Sequence, residues 1–197
     1  MTTPTTSTLP AGRILLRNVR LSFPALFEPE AFKVGDEPKY KATFLVDKNS
    51  PQVADINRII ADILRASPKV GPKKADAILK QISGNPNKCC WQDGDNADYD
   101  GYAGMMSLSA KAKVSARPTV LDGNKSPLTA RDGKPYAGCY VNASIELYVY
   151  DSSGIGITAQ LRGVQFLRDG DAFAAGRPAD DDEFEDVVEG TDADDIA

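Results

Sequence analysis

Apolar and polar residues alternate along five segments of the chain, a pattern that predicts β-strands with one buried face. The predicted strands are residues 13–23, 39–46, 105–117, 140–150 and 155–167. The alternation is imperfect in the first strand, which indicates a bulge there. Pro24 and Pro29 predict a loop directly after it, because proline cannot donate a hydrogen bond to a neighbouring strand.

The third predicted strand has the clearest alternation. Its apolar face consists of Leu108, Ala110, Ala112, Val114 and Ala116. Small inward side chains suit a tightly curved sheet or a small barrel. Two Asp-Gly pairs, at 122–123 and 132–133, predict turns before the fourth strand, and residues 151–154 predict the hairpin turn that follows it.

The hydrophobic period changes to that of a helix between the second and third strands. Ser50 and Pro51 suit an N-cap and a first helical position, and apolar residues recur at helical spacing from Val53 to Leu64. The predicted helices span residues 51–66 and 72–83. No βαβ repeat is present, so the pattern predicts an all-β protein, a five-stranded antiparallel barrel with an inserted helical segment.

Residues 85–104 form a long predicted loop that is rich in Gly, Asp and Asn. Loops of this length in compact domains are often functional. The loop holds Trp91, Tyr99 and Tyr102. In so polar a segment we expect exposed rings, the kind of surface on which the bases of a single-stranded nucleic acid stack. The alternative is that one or more of these rings folds back over the end of the barrel as a plug.

The charge of the chain is divided between a basic body and an acidic C-terminal segment. Residues 180–197 hold ten of the 28 Asp and Glu residues and no Lys or Arg. The other 179 residues keep 18 acidic against 23 basic side chains, a net charge of +5, although the whole chain carries −5. A basic body favours a polyanionic ligand, and a tethered polyanion competes for the same surface. We expect disorder in an N-terminal arm, residues 1–10, and in the acidic tail, residues 179–197.

Basic residues on the polar faces of the strands are the candidate phosphate contacts. Lys111, Lys113 and Arg117 share one face of the third strand with serines, a combination suited to a phosphate backbone. The alternative is a solvated outer face whose lysines prevent aggregation. The full set of candidate nucleic-acid contacts is Lys39, Lys41, Trp91, Tyr99, Tyr102, Lys111, Lys113, Arg117, Tyr136 and Tyr140.

Several function classes are disfavoured by what the sequence lacks. It contains no histidine, no P-loop and no G-x-G-x-x-G motif, so we expect no enzyme activity and no cofactor. Cys89, Cys90 and Cys139 lack C-x-x-C spacing, which argues against a zinc site or a disulfide framework and fits reduced thiols in a cytosolic setting. We also expect no metal, no membrane span and no secretory signal.

Six motifs cover nearly the whole body of the chain. They are R-L-S-F-P-A-L-F-E-P from Arg20, W-x-D-G-D from Trp91, G-Y-A-G from Gly101, A-x-x-K-V-S-A-R-P-T-V-L-D-G from Ala110, K-P-Y-A-G-C-Y-V-N-A-S-I-E-L-Y-V-Y from Lys134, and G-V-Q-F-L-R-D-G-D from Gly163. Together they resemble the family of phage single-stranded DNA-binding proteins that was first catalogued as a domain of unknown function.

The resemblance implies an oligonucleotide/oligosaccharide-binding (OB) barrel over residues 11–178 that binds single-stranded DNA with little sequence preference. Its expected role is to protect unwound strands during replication, recombination or repair of a phage genome, in the cytoplasm of the infected host. In similar replication proteins the acidic tail shields the DNA groove and docks onto a polymerase or helicase. The candidate docking residues are Asp180, Asp181, Asp182, Glu183, Phe184, Glu185 and Asp186.

Two alternative functions remain open on the sequence. One is an interaction protein, or adaptor, in which the acidic tail is the active element and the body is a scaffold. The other is an RNA-binding chaperone on the same fold, which differs only in its tolerance of the 2′-hydroxyl group.

Overall fold

The computed structural model describes residues 11–173, whose regular elements are seven β-strands, two α-helices and three short 3₁₀ helices. The strands are β1 (Arg13–Glu30), β2 (Lys39–Asp47), β3 (Trp91–Asp93), β4 (Met105–Lys113), β5 (Thr119–Leu121), β6 (Tyr140–Tyr150) and β7 (Gly156–Arg168). The α-helices are α1 (Pro51–Ala66) and α2 (Ala75–Ile82). The 3₁₀ helices are Gly94–Asn96, Val114–Ala116 and Ala130–Asp132.

The five long strands close into a barrel. The sheet order is β3-β4-β2-β1-β6-β7-β5, and β4 also pairs with β7 at Lys111 and Gln160. This is the topology of an OB fold with a helical insertion after its second strand, so the predicted barrel is confirmed. The closing β4–β7 pair is parallel, however, whereas the other neighbouring long strands are antiparallel.

Strand β1 does not stop at Phe23, and the predicted loop after it is wrong. The strand continues through both prolines to Glu30 and pairs with β2 and with β6. Its register against β2 shifts between Ser22 and Ala25 and again between Ala25 and Glu30. Pro24 and Pro29 therefore lie within bulges, where the missing N–H breaks no regular ladder bond.

The inward faces of the strands form one core with α1. Phe44, Leu108, Ile145 and Leu161 are fully buried inside the barrel. Helix α1 adds its buried stripe of Ile56, Ile60 and Leu64. The helical insertion is thus packed against the barrel rather than separate from it.

Helix α1 has the predicted bounds, whereas α2 is shorter than predicted. The Ser50 hydroxyl caps α1 by accepting from the Gln52 N–H, and Pro51 is its first residue. Helix α2 begins at Ala75 rather than at 72, because the Lys74 N–H is used in a turn with the Gly71 carbonyl.

The third predicted strand is also shorter in the structure. Strand β4 ends at Lys113, and a 3₁₀ turn over 114–116 leaves Val114 exposed at 52%. Strand β5 and strand β3, the latter inside the predicted loop 85–104, were not predicted. Three residues are too short a segment to display a hydrophobic period.

Candidate nucleic-acid interface

The outer face of β2 and β4 carries a ladder of lysines. Lys39 lies opposite Lys113, and Lys41 lies opposite Lys111, so each pair projects from the same side of the sheet. Within residues 11–173, Lys41 forms an ion pair with Glu30 at 3.0 Å, whereas the other three lysines form none. Like charges in directly opposed positions repel, so this face concentrates positive charge at a cost in stability.

A row of hydroxyl groups lies next to the lysine ladder. Thr43 is the partner of Ser109 on one side and of Ser22 on the other. The Thr43 and Ser109 hydroxyl oxygens are 3.1 Å apart. The Thr43 and Ser109 hydroxyl groups, unlike that of buried Ser22, can donate to phosphate or sugar oxygens, the role that Ser and Thr often have beside nucleic acids.

Three aromatic rings form a cluster that reaches the hydroxyl row through Tyr102. Phe23 and Tyr99 are 5.0 Å apart between ring centroids, and Tyr99 and Tyr102 are 5.3 Å apart. Phe23 and Tyr99 are exposed at 48% and 58%, but Tyr102 at only 4%. The Tyr102 hydroxyl lies 3.4 Å from that of Ser22, and burial raises its pKa. Phe23 and Tyr99 are therefore the rings available to a base, and Tyr102 supports them from below.

Phe23 was not among the predicted contacts. It has a φ of 46°, in the left-handed region, directly before Pro24 in the bulge of β1. This conformation interrupts the alternation and leaves the ring on the outer surface. The signal in the sequence is the Phe-Pro pair within a strand pattern, which by itself predicts the start of a loop.

Trp91 does not lie on this surface. It is 6% exposed, sits on β3 opposite Leu108, and donates its indole N–H to the Asn57 side-chain oxygen on α1 at 2.9 Å. The prediction of an exposed Trp91 ring is wrong, because β3 joins the sheet and turns the indole into the core. For Trp91 and Tyr102 the alternative of an inward-folded ring is the one observed.

The loop that carries Tyr99 and Tyr102 is held at both ends by Lys48. The Lys48 ammonium lies 2.5 Å from a carboxylate oxygen of Asp93 and 2.5 Å from one of Asp95. These hydrogen bonds hold the pKa of both carboxyl groups below the ordinary value and the pKa of Lys48 above it. The Gly104 N–H donates to the other Asp95 oxygen at 2.6 Å.

A second cluster lies on the neighbouring outer face of β1, β6 and β7. The Arg168 guanidinium stacks 3.4 Å from the centroid of the Tyr140 ring, with Arg20 at 5.6 Å. The Tyr136 hydroxyl is 3.0 Å from both a carboxylate oxygen of Asp169 and the Gly170 carbonyl. Two of the predicted contacts, Tyr136 and Tyr140, therefore already have partners within the protein.

The last described residue, Phe173, lies between the two clusters. Its ring is 4.2 Å from the Arg20 guanidinium, and its N–H donates to the Ala137 carbonyl at 3.0 Å. The ring also packs so closely on Gly101 that a β-carbon there would collide with it. The chain therefore leaves the described part beside the loop of Tyr99 and Tyr102. The predicted docking residues Asp180, Asp181, Asp182, Glu183, Phe184, Glu185 and Asp186 lie outside residues 11–173.

Metal binding and membrane insertion concern the same described part of the chain, residues 11–173. No group of three or more His, Cys, Asp or Glu side chains in this range is arranged to hold a metal ion. No helix in the same range has the length and apolar character needed to cross a membrane. Burial raises the pKa of the Cys139 thiol to about 11 and also raises that of Cys90, so neither is a reactive thiolate near neutral pH.

Comparison with known proteins identifies relatives over almost the whole chain. Residues 12–197 match the family described as Enterobacter phage Enc34, ssDNA-binding protein. The p50 protein of Acyrthosiphon pisum secondary endosymbiont phage 1 is 50% identical over 180 residues, which make up 89% of this chain and 94% of the relative.

Solved structures of phage single-stranded DNA-binding proteins are similar to the structure of this chain. The single-stranded DNA-binding protein from bacteriophage Enc34 in complex with ssDNA has a TM-score of 0.69 and 26% identity, over 83% of this chain and 90% of that one. Another structure of the single-stranded DNA-binding protein from bacteriophage Enc34 has a TM-score of 0.68 over 89% and 92% of the two chains. The gp2.5 single-stranded DNA-binding protein of bacteriophage T7 shares the fold, with a TM-score of 0.54 and 14% identity over 92% and 98%.

Proposed function

The chain belongs to the Enc34 family of phage single-stranded DNA-binding proteins, and on this premise we propose that it coats unwound DNA without regard to base sequence. The bound strand lies over the outer face of β2 and β4. Lys39, Lys41, Lys111 and Lys113 neutralise its phosphates. Arg117 is exposed, but it follows the 3₁₀ turn after β4, so the predicted shared face with Lys111 and Lys113 does not extend to it. Bases stack on Tyr99 and Phe23.

The observation that carries this proposal is the ladder of opposed lysines next to two exposed rings. Lysine ammonium groups contact phosphate as point charges, and an aromatic face accepts any base. Neither interaction reads the hydrogen-bonding edge of a base, so affinity comes without sequence preference. A duplex hides its base faces, and this surface therefore favours single strands.

We place this activity in the replication, recombination or repair of a phage genome, in the cytoplasm of the infected host. Each of these processes exposes single strands that need protection. The polymerase and helicase of the same machinery are the expected partners of the acidic tail. Phe184, which stands among the carboxylates of the tail, supplies the apolar contact that a short docking peptide needs.

The tail also modulates access to the DNA-binding face. Phe173 is anchored beside Gly101 and Arg20, next to the loop of Tyr99 and Tyr102. A polyanion attached at this point has a high effective concentration at the lysine ladder. Its carboxylates therefore compete with phosphates until DNA displaces them.

The test measures binding of labelled oligo-dT by fluorescence anisotropy over a range of salt concentrations. The same titrations with the matching duplex and with oligo-U provide the comparison. We expect oligo-dT to bind most tightly, with a slope of log K against log salt of about −0.7 per phosphate contacted. Tight binding of oligo-U would favour the RNA-binding alternative. A flat salt response or a preference for duplex contradicts the proposal.

A matched pair of variants locates the binding face. Lys111→Gln removes one charge from the ladder and is expected to make the salt slope shallower by about 0.7. Lys80→Gln removes one charge from an exposed position on α2 and is expected to leave the slope unchanged. If Lys111→Gln and Lys80→Gln changed the salt slope equally, DNA binding would depend only on the overall charge of the protein and not on this face.

A further inference from the structure

Both ends of the loop 94–104 meet at a single residue, Lys48. Lys48 follows β2, and its ammonium lies between Asp93, the last residue of β3, and Asp95, the second residue of the loop. At the other end of the loop, the Gly104 carbonyl accepts from the Lys48 backbone N–H at 3.2 Å. Lys48 thus joins the turn after β2 to the beginning and the end of the aromatic loop.

The same carboxylate closes the loop upon itself. One Asp95 oxygen accepts from the Gly104 N–H at 2.6 Å, and the other contacts Lys48. Between these ends, backbone bonds run from the Tyr102 N–H to the Tyr99 carbonyl and from the Met105 N–H to the Tyr102 carbonyl. The position of each tyrosine therefore depends on how the ends are held.

Lys48 differs from the lysines of the ladder in its electrostatic surroundings. It lies between two carboxylates, so the trio of Lys48, Asp93 and Asp95 carries a net negative charge. Such a trio does not attract phosphate. In the ladder, by contrast, Lys111 forms no ion pair within residues 11–173. A contribution of Lys48 to DNA binding must therefore act through the loop.

We propose that Lys48 is a positioning residue for single-stranded DNA binding, because it holds the loop 94–104 in the arrangement that presents Tyr99 to a base. This inference rests on the proposed function, since it assigns a role within the same binding face. The clamp of Lys48, Asp93 and Asp95 sets the affinity without contributing a phosphate contact.

The first experiment examines the loop without DNA. Amide hydrogen exchange at Gly104 and limited chymotrypsin cleavage after Tyr99 are compared for the wild-type protein, Lys48→Met and Lys48→Arg. We expect faster exchange and faster cleavage in Lys48→Met and a return toward wild-type rates in Lys48→Arg, which keeps a cation between the carboxylates. The thermal unfolding midpoint is recorded to show that the barrel remains folded.

The second experiment measures binding of labelled oligo-dT by the same variants. We expect Lys48→Met to weaken binding by about two- to tenfold, the scale of a small exposed charge network, with an unchanged salt slope. Lys111→Met is the control: its salt slope becomes shallower by about 0.7, whereas its Gly104 exchange stays at the wild-type rate.

The possible results distinguish a positioning role of Lys48 from a phosphate contact and from no role in binding. If Lys48→Met changes the salt slope as Lys111→Met does, Lys48 contacts phosphate and the positioning role is wrong. If Lys48→Met binds as tightly as the wild-type protein, or leaves exchange and cleavage unchanged, the clamp does not control binding. If the wild-type protein itself does not bind oligo-dT, the proposed function fails first, and the positioning role fails with it.

Discussion

Two aromatic residues of the same polar segment have opposite environments. Trp91 is held in the core by its hydrogen bond to Asn57, whereas Tyr99, eight positions later, is exposed. Residue type alone predicts both as stacking rings. The difference arises because β3 joins the sheet through Trp91 while the loop after Gly94 does not. Exposure, which depends on this pairing, therefore decides which ring can meet a base.

Substitution of these two residues should separate stability from binding. Trp91→Ala should lower the free energy of unfolding by about 3–5 kcal/mol, because it leaves a cavity under α1. Tyr99→Ala should change stability by no more than about 0.5 kcal/mol and weaken oligo-dT binding by about 1–3 kcal/mol. Urea unfolding and anisotropy titration measure the two quantities. If Trp91→Ala unfolds like the wild-type protein, its buried position is not the native one.

The clamp at Lys48 should respond to acid. The pKa values of Asp93 and Asp95 are lowered from 3.8 in the folded protein, so their contribution is present above that value and is lost as pH falls through the lowered values. The Lys48 pKa is raised from 10.5, so its contribution is lost only when pH rises through the raised value. The loop should therefore be uniformly ordered from about pH 5 to 9.

An NMR titration that follows the Gly104 amide resonance measures how the order of the loop depends on pH. We expect a shift that begins below about pH 4, and Asp95→Asn is the matched control because it removes one of the titrating groups. A Gly104 resonance that moves through the neutral range, or one that titrates identically in the variant, would contradict the assignment to this clamp.

At the scale of elements, the long periodic segments were predictable and the short ones were not. Helix α1 and strand β6 have their predicted bounds, since each contains several repeats of its hydrophobic period. The predicted first strand ends before Pro24, whereas β1 continues beyond it. The sequence alone cannot show that a proline will lie in a bulge rather than in a loop. The outward position of the lysines on the proposed binding face could be predicted from the alternation of β2 and β4. Their pairing across strands depends on the register, which only the structure supplies.

The lysine ladder should impair the stability of the free protein. Lys113 lies opposite Lys39, and neither lysine forms an ion pair within residues 11–173. Lys113→Gln should therefore relieve the repulsion between them and slightly raise the thermal unfolding midpoint at low salt. The same variant should bind oligo-dT more weakly. High salt should remove the stability gain, because it screens exposed charges. Thermal unfolding at two salt concentrations provides the measurement, and a variant that is less stable at low salt would contradict the argument.

At the scale of the whole molecule, opposite charges are separated along the chain, with the basic body before an acidic C-terminal segment. The basic face of β2 and β4 borders the loop against which Phe173 packs, and the ten carboxylates follow in the sequence. The overall charge of −5 hides this arrangement. If the tail competes with DNA as proposed, the balance between the two at the basic face should depend on ionic strength.

Removal of the tail should strengthen DNA binding. A chain that ends at Ala179 loses the tethered competitor and should bind oligo-dT more tightly than the full chain at low salt. The difference should fade above about 0.5 M salt, where the Debye length is about 4 Å. Equal affinities at low salt would leave the tail as a docking or solubility segment, whereas a loss of nucleic-acid binding on truncation would favour the adaptor alternative.

The parallel pairing of Lys111 with Gln160 has a consequence for synthesis of the protein. Strands β1, β2 and β4 leave the ribosome early, but β4 cannot close the barrel until β7, residues 156–168, has been made. Until then the newly made chain exposes the apolar side of three strands, a state that is prone to aggregation and is recognised by chaperones. Slow translation of the segment between β4 and β7 should therefore lower the yield of folded protein without any change in its sequence.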